Sequence, residues 1–262
     1  MIMQPLKACL IFIFLYTLVS LHVASQPVAN NYAKQWRLVD EMVKKQLPKS
    51  AFEEVKKIYQ LAKKDASSGY QQAQVIKALV YMIGLQNQIT ENTEAKSIAD
   101  IEKEISSASE PAKSVLNSVL AEMYWNYYQQ HRWQLYDRTN TRSFKKDDIA
   151  TWTADDFHRK ISELYLQSIK NSALLQQTRL EAYDAIILKG NVRHLRPTLF
   201  DLLAHHALEY FKNDERDITR PAYAFEIDEA AAFDPAADFI HHKFITKDSV
   251  SLQHKALYFT NN

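Results

Sequence analysis

Three glycines in 262 residues, Gly69, Gly84 and Gly190, limit this chain more than any other feature. Average usage of about 7% would supply roughly 18. Hairpin turns, β-bulges and phosphate-cradling loops need glycine where φ is positive or where backbone must approach closely. Three scattered copies cannot build a GxGxxG or a GxxxxGKS/T motif. The scarcity therefore argues against a dinucleotide fold, a P-loop and a many-stranded barrel. Hydrophobic residues at 47% and charged residues at 24% are ordinary for a globular chain, which argues against wholesale disorder.

Charge is balanced. Lys plus Arg is 32 and Asp plus Glu is 31, a formal net charge of +1. That balance leaves no footprint for nucleic acid and no polybasic membrane patch. The two signs alternate along the chain, as on solvated helix faces.

Residues 1–25 read as an address. Lys7 supplies a positive start, Ala8 to Val19 is an apolar run too short to span a bilayer, and Val23-Ala24-Ser25 offers small residues for cleavage before Gln26. The single cysteine, Cys9, leaves with this segment. The mature chain then has no thiol nucleophile, no thiolate metal site and no disulfide. It also has no Asn-x-Ser/Thr sequon. Export without disulfides or glycan acceptors suits the periplasm or outer envelope of a bacterium, and no membrane span is expected after cleavage.

Apolar residues then recur at three- and four-residue spacing, the signature of amphipathic helices. Trp36, Val39, Val43 and Leu47 mark a first helix ended by Pro48. Ser50 to Glu53 reads as a capping box for a second, carrying Phe52, Val55, Ile58, Tyr59 and Ala62. After a turn at Ser67-Ser68-Gly69, a third carries Ile76, Leu79, Val80 and Ile83. Ile98, Ile101 and Ile105 mark a fourth. Ser109-Glu110-Pro111 opens a fifth and longest helix with Leu116, Val119, Leu120, Met123 and Tyr127. A sixth is expected from Asp155 to Ala173, a seventh holding Leu180, Tyr183 and Ile187 with Gly190 as its C-cap, and an eighth after Pro197. Thr139 to Thr153 reads as a long surface loop and Asn213 to Phe233 as a second irregular stretch. Asp234-Pro235 opens a short helix, and Asp248 caps a last one bearing Val250, Ala256, Leu257 and Phe259.

The expected fold is all-α: an irregular, TPR-like array of antiparallel αα-hairpins with the last hairpin truncated. A signal peptide at 1–25, a helical array at 26–212 and a linker with the start of a further helical pair at 213–262 complete the division. A truncated pair would leave Ala256, Leu257 and Phe259 exposed.

Candidate chemistry is sparse. His205 and Glu209 are four residues apart on a helix, beside His206, but HExxH is absent, so a metal or hydrolase reading lacks its ligand set. His241-His242 is a second adjacent pair. Asp147-Asp148 and Asp155-Asp156 suit helix capping better than acid–base work. The run Tyr124, Trp125, Tyr128, Trp133 and Tyr136 covers more than one helix face. It reads either as a stacking surface for a peptide or sugar or as a helix buried on several sides. Arg193 and Arg196, at the entry to the eighth helix, could hold an anion or pair with carboxylates across their loop. No catalytic, cofactor or metal residue is assigned, and the expected partner is a protein, either separate or part of the same polypeptide.

Four blocks carry a resemblance. They are Ser118-Val119-Leu120-Ala121-Glu122-Met123-Tyr124-Trp125-Asn126-Tyr127-Tyr128-Gln129-Gln130-His131-Arg132-Trp133, Asp148-Ile149-Ala150-Thr151-Trp152, Leu195-Arg196-Pro197-Thr198-Leu199-Phe200-Asp201-Leu202-Leu203-Ala204-His205-His206-Ala207-Leu208, and Phe239 to Leu252. Together they resemble the N-terminal helical region of large exported bacterial proteins of the alpha-2-macroglobulin family. The resemblance covers essentially the whole mature chain. It implies a setting in protease trapping, where a bait segment is cut, the molecule changes shape and, in many members, a Cys–Gln thioester captures the protease. This chain has no cysteine after maturation, so no active residue carries over. The function it implies is a non-enzymatic scaffold, the N-terminal piece of such a trap. A free-standing exported adaptor that binds a protein or peptide in a groove is the alternative.

Overall fold

The computed structural model describes residues 28–64, 66–91, 93–136, 148–212, 223–248 and 251–260. The signal segment, Arg142, Lys145, Lys146, Asp147, Pro221 and Val250 lie outside the described residues. Among those described, ten α-helices follow in order: α1 Val28–Lys44, α2 Pro48–Lys64, α3 Gly69–Ile89, α4 Glu94–Ser107, α5 Ala112–Tyr136, α6 Ala154–Ser168, α7 Ser172–Gln177, α8 Leu199–Phe211, α9 Ala236–Phe239 and α10 Leu252–Thr260. The fold is an all-α array of helical hairpins. Its only extended pairing among the described residues is one isolated bridge, Arg179 to Thr198.

Helix α3 organises the array because it carries a single charged residue, Lys77, in 21 positions. A helix with almost no charge can be covered on several sides. Val75, Ala78 and Leu85 join a cluster with Tyr32, Trp36 and Val39 of α1 and Ala51, Val55 and Ile58 of α2. Ala73, Ile76 and Leu79 join a larger cluster built on α4, α5, α6 and α8. Each fully buried aliphatic side chain contributes about 1.5–3 kcal/mol.

Helix ends follow local chemistry. Thr153 and Asp156 form a reciprocal capping box at α6, and Thr198 and Asp201 form another at α8. The α1–α2 corner is different. Leu47 N–H donates to the Met42 carbonyl at 3.0 Å and Gln46 N–H to Val43 at 2.9 Å. This is a Schellman turn with Gln46 at φ 56°, where glycine is the usual occupant. Pro48 therefore opens α2, and Ser50 lies inside the helix and is not its cap.

Several expectations are corrected. The sixth helix stops at Ser168, and a separate one-and-a-half-turn helix, α7, follows. The seventh expected helix is absent: Leu180–Tyr183 is a 3-10 turn. Its backbone is taken by the bridge, with Leu180 N–H on the Pro197 carbonyl at 3.1 Å and Leu199 N–H on Thr178 at 2.8 Å. Gly190 thus caps nothing. Gly69 is the first residue of α3, behind the N-cap Ser68, and a Cβ there would stand 2.9 Å from the Ala182 Cβ. Gly84 lies inside α3, and a Cβ there would meet nothing within 4 Å. The described end of the Thr139–Thr153 stretch is not a surface loop, since Ile149 and Trp152 are buried.

The C-terminal part also departs from expectation. Pro235 is the N-cap of α9, one position before the place expected for it. Asp248 does not cap α10. It is buried and accepts a hydrogen bond from Phe225 N–H at 3.3 Å. Ser251 caps α10 instead, accepting from His254 N–H at 3.1 Å. The last helix is not left unpartnered: it packs on α8, with Leu252 in the main cluster and Leu257 buried beside Phe225 and Phe244. Ala256 is partly buried against the main cluster. The Phe259 side chain lies outside the described residues.

Candidate functional site

The aromatic run of α5 divides into an inner and an outer part. A helix running alongside α6 buries one side, and the sequence places rings on that side at three- and four-residue intervals. Tyr124 and Tyr128 are buried. Tyr124 stacks on Trp152 with centroids 5.4 Å apart and planes 8° from parallel. Its hydroxyl donates to Glu102 Oε1 at 3.1 Å, and Lys160 Nζ reaches the same oxygen at 3.1 Å. Burial first, and the Glu102 charge second, push the Tyr124 phenol far above its ordinary range.

Trp125 is half-buried and stacks on Tyr128 at 5.5 Å, with its edge toward Tyr210 at 5.3 Å. These three residues belong to the interior, not to a stacking platform. Trp133 is the outer part: it is 78% exposed, with the Arg132 guanidinium 5.1 Å from its ring centroid. Tyr136 closes α5, and its side chain lies outside the described residues.

Arg193 and Arg196 do not assemble an anion site. They sit on a 3-10 turn, not at the start of α8. The α8 N-terminus is already occupied by Thr198 and the Asp201 carboxylate, which would repel an anion. Arg193 instead meets Asp184, which also pairs with Lys189 at 2.8 Å. The Arg193 contact is ionic without hydrogen-bond alignment, and Nε and Nη2 of Arg193 are buried with no acceptor. Lys189 first, and Arg193 after it, hold the Asp184 carboxyl below the usual carboxylate range. Arg196 is exposed.

The histidines are dispersed. Glu209 pairs with Lys212 at 3.3 Å, and His206 is exposed. His242 Nε2 meets Glu229 Oε2 at 2.8 Å, while neighbouring His241 is exposed. Among the described residues no three His, Cys, Asp or Glu side chains come together as a metal site. Asp148 and Asp156 act as caps for the turn at Ile149–Thr151 and for α6.

Two features were not singled out from the sequence. The first is His158, buried on α6, whose Nδ1 shares a 2.8 Å hydrogen bond with the Tyr210 hydroxyl. Tyr128 stands edge-on to its ring at 4.9 Å. The second is a groove between α2, α3 and α4, a cavity of about 280 Å³. Phe52, Leu79, Met82 and Ile83 supply apolar wall, and Lys96, Asp100 and Lys103 stand on the α4 side.

One end of the groove is closed by a polar cluster. Glu104 is buried and accepts from Tyr59 Oη at 2.6 Å and from Lys63 Nζ at 2.6 Å. Burial opposes the Lys63 charge, but Glu104 and Tyr59 outweigh it and raise the Lys63 pKa. Tyr59 is raised by burial and then by Glu104. Ligand sites for small molecules usually run to about 300–1,000 Å³, and this groove, at about 280 Å³, lies at the lower edge of that range. The helical spacings Tyr59–Lys63 and Glu104–Ser107 are visible in the sequence, but their meeting depends on the register of α2 against α4.

No helix among the described residues is long and apolar enough to cross a membrane. No family model, curated protein or solved structure matches this chain.

Proposed function

We propose that this chain is a non-enzymatic helical scaffold, exported to a bacterial cell envelope, forming the N-terminal piece of an alpha-2-macroglobulin-like protease-trapping protein. The observation that carries the proposal is convergence. The four blocks on which the resemblance rests are far apart in sequence, yet one cluster takes buried side chains from each. Leu120, Tyr124 and Tyr128 come from the first block, Ile149 and Trp152 from the second, Leu199, Phe200, Leu203 and Ala207 from the third and Leu252 from the fourth. Blocks that share one core support the reading that the resembling segments act as one structural unit.

The test is the reading frame. Genomic DNA that continues in frame, or past one frameshift, into further helix pairs and β-sandwich repeats is the expected result. A stop followed by an unrelated gene overturns the proposal.

The groove between α2, α3 and α4 favours one second reading, a free-standing exported adaptor that takes apolar side chains of a protein partner. Under that reading, Ile83→Arg, at a half-buried position on the groove wall, abolishes partner capture from envelope extracts while helicity by circular dichroism is kept. Retained capture removes the groove from the account.

A further inference from the structure

The Arg179–Thr198 bridge closes a loop, residues 180–197, at its base. The first half of the loop belongs to the core: Tyr183 is buried, and Ala182, Ala185, Ile186 and Ile187 pack against the main cluster. Asp184 ties the loop to itself by pairing with Lys189 and Arg193. Surface loops with closed ends and internal contacts of this kind are frequently functional.

The outer half, residues 188–196, faces water. Leu188 is 99% exposed, Leu195 69% and Val192 53%, and a Cβ on Gly190 would meet nothing within 4 Å. Leu195 N–H donates to the Val192 carbonyl at 3.0 Å, and Arg196 N–H to the Arg193 carbonyl at 3.1 Å. At three residues per turn, Val192 and Leu195 eclipse each other on one edge of this 3-10 turn, and Arg193 and Arg196 follow on the next. The turn itself therefore places the two apolar side chains together, beside a basic edge.

The near-neutral balance of the whole chain conceals a local excess here. From Ala185 to Phe200 the chain carries Lys189, Arg193 and Arg196 and no carboxylate. Of the flanking acids, Asp184 offsets one of these cations, Glu181 pairs with Arg179 at 3.5 Å, and Asp201 caps α8. Arg196 is exposed and makes no ion pair among the described residues.

We infer that this loop docks on the surface of an anionic phospholipid bilayer. Val192 and Leu195 enter the headgroup layer, and Lys189 and Arg196 meet the lipid phosphates. Exposed apolar side chains beside cations suit a membrane or a protein partner. The bilayer is the occupant because the apolar pair projects from a tip that stands clear around Gly190. A fluid anionic surface accepts such a tip directly, whereas a protein partner must offer a fitted pocket. The docking is peripheral and calls for no spanning helix.

Flotation of the full exported chain with lipid vesicles tests this. Vesicles of phosphatidylethanolamine with about one-third phosphatidylglycerol are compared with vesicles of phosphatidylcholine alone. Binding to the anionic vesicles is expected to be at least about tenfold tighter, and to weaken as salt rises from about 0.05 to about 0.5 M. R196E is expected to weaken it roughly tenfold. V192S/L195S is expected to weaken it by a similar factor of about ten while keeping the salt dependence. K44E/K45E, which alters exposed lysines on the α1–α2 corner, is expected to bind as wild type does. All substituted positions are exposed, and circular dichroism checks that helicity is unchanged. Equal affinity for both vesicles overturns the inference, as does wild-type binding by V192S/L195S or an equal loss in K44E/K45E. A chain that binds neither vesicle also overturns it and leaves the loop to an acidic protein. The inference does not depend on the protease-trap reading, which the reading frame tests separately.

Discussion

Tyr124 of α5 lies flat on Trp152, which stands just before α6, so the start of α6 is anchored to α5. Phe157 completes the contact, 5.2 Å from Trp152 and 6.3 Å from Tyr124. Trp152→Ala removes a buried ring from this stack and is expected to cost about 3–5 kcal/mol. Trp133→Ala, on the same helix as Tyr124 but exposed, is expected to change stability by less than about 0.5 kcal/mol. Urea denaturation of both variants measures the contrast. Equal losses would mean that Trp133 is covered in solution.

The glycines give a second contrast. Gly69→Val drives a side chain into Ala182 and the Tyr183 ring, which a Cβ alone already meets at 2.9 and 3.3 Å. Loss of stability of about 1–3 kcal/mol is expected from the overpacking. Gly84→Ala meets nothing within 4 Å inside a helix, and is expected to stabilise by about 0.5–1 kcal/mol. Thermal midpoints that move in opposite directions bear this out, and a destabilising Gly84→Ala contradicts it.

Gln46 holds a left-handed conformation that costs a side-chain-bearing residue roughly 1–2 kcal/mol. Gln46→Gly is expected to recover up to about 1 kcal/mol of that, less the entropy glycine adds to the unfolded chain. Denaturant midpoints decide it, and a lower midpoint for Gln46→Gly would show that the Gln side chain stabilises the corner.

Helix existence was legible because apolar residues recur at three- and four-residue spacing through α1 to α6 and α8, although α3 is covered on more than one side. Where the reading failed, a tertiary contact overrode the local pattern. Leu180, Tyr183 and Ile187 are spaced for a helix. Yet Tyr183 is drawn into the core, where its hydroxyl donates to Gln72 at 2.7 Å, and Thr178 to Leu180 pair with Pro197 to Leu199. Helix boundaries failed at α1–α2 for a different reason. A Schellman turn normally announces itself by glycine, and here glutamine occupies the position. The inner half of the aromatic run was legible only as a choice between core and surface, since periodicity does not say which face meets a neighbour. The groove was not legible at all, because Lys63 and Glu104 are brought together by packing and not by spacing.

Removing Lys63 exposes what the groove cluster depends on. Lys63→Ala leaves the buried Glu104 carboxylate with Tyr59 alone, and a loss of about 1–3 kcal/mol is expected. Lys63 is itself partly exposed, so the lower half of that range applies. Lys63→Ala with Glu104→Gln recovers part of the loss, because the buried charge goes too. A double-mutant cycle by urea denaturation measures the coupling, and strictly additive losses would contradict it.

Asp184 makes stability depend on acid. Its folded pKa lies below the unfolded value, so its pairing with Lys189 and Arg193 contributes above the unfolded carboxylate pKa of about 3.9 and is lost as pH falls through the folded value. Asp184→Asn is expected to flatten the acid limb of a thermal-midpoint-against-pH curve while leaving its shape above about pH 5 unchanged. An unaltered acid limb would mean the pair contributes nothing in solution.

The size of the native product tests the proposed function most directly. Antiserum raised against the purified chain is used to probe envelope fractions of the source organism under denaturing conditions. The account predicts a single reactive polypeptide far longer than 262 residues, released with the envelope and not the cytoplasm. A reactive product no longer than this chain would contradict it.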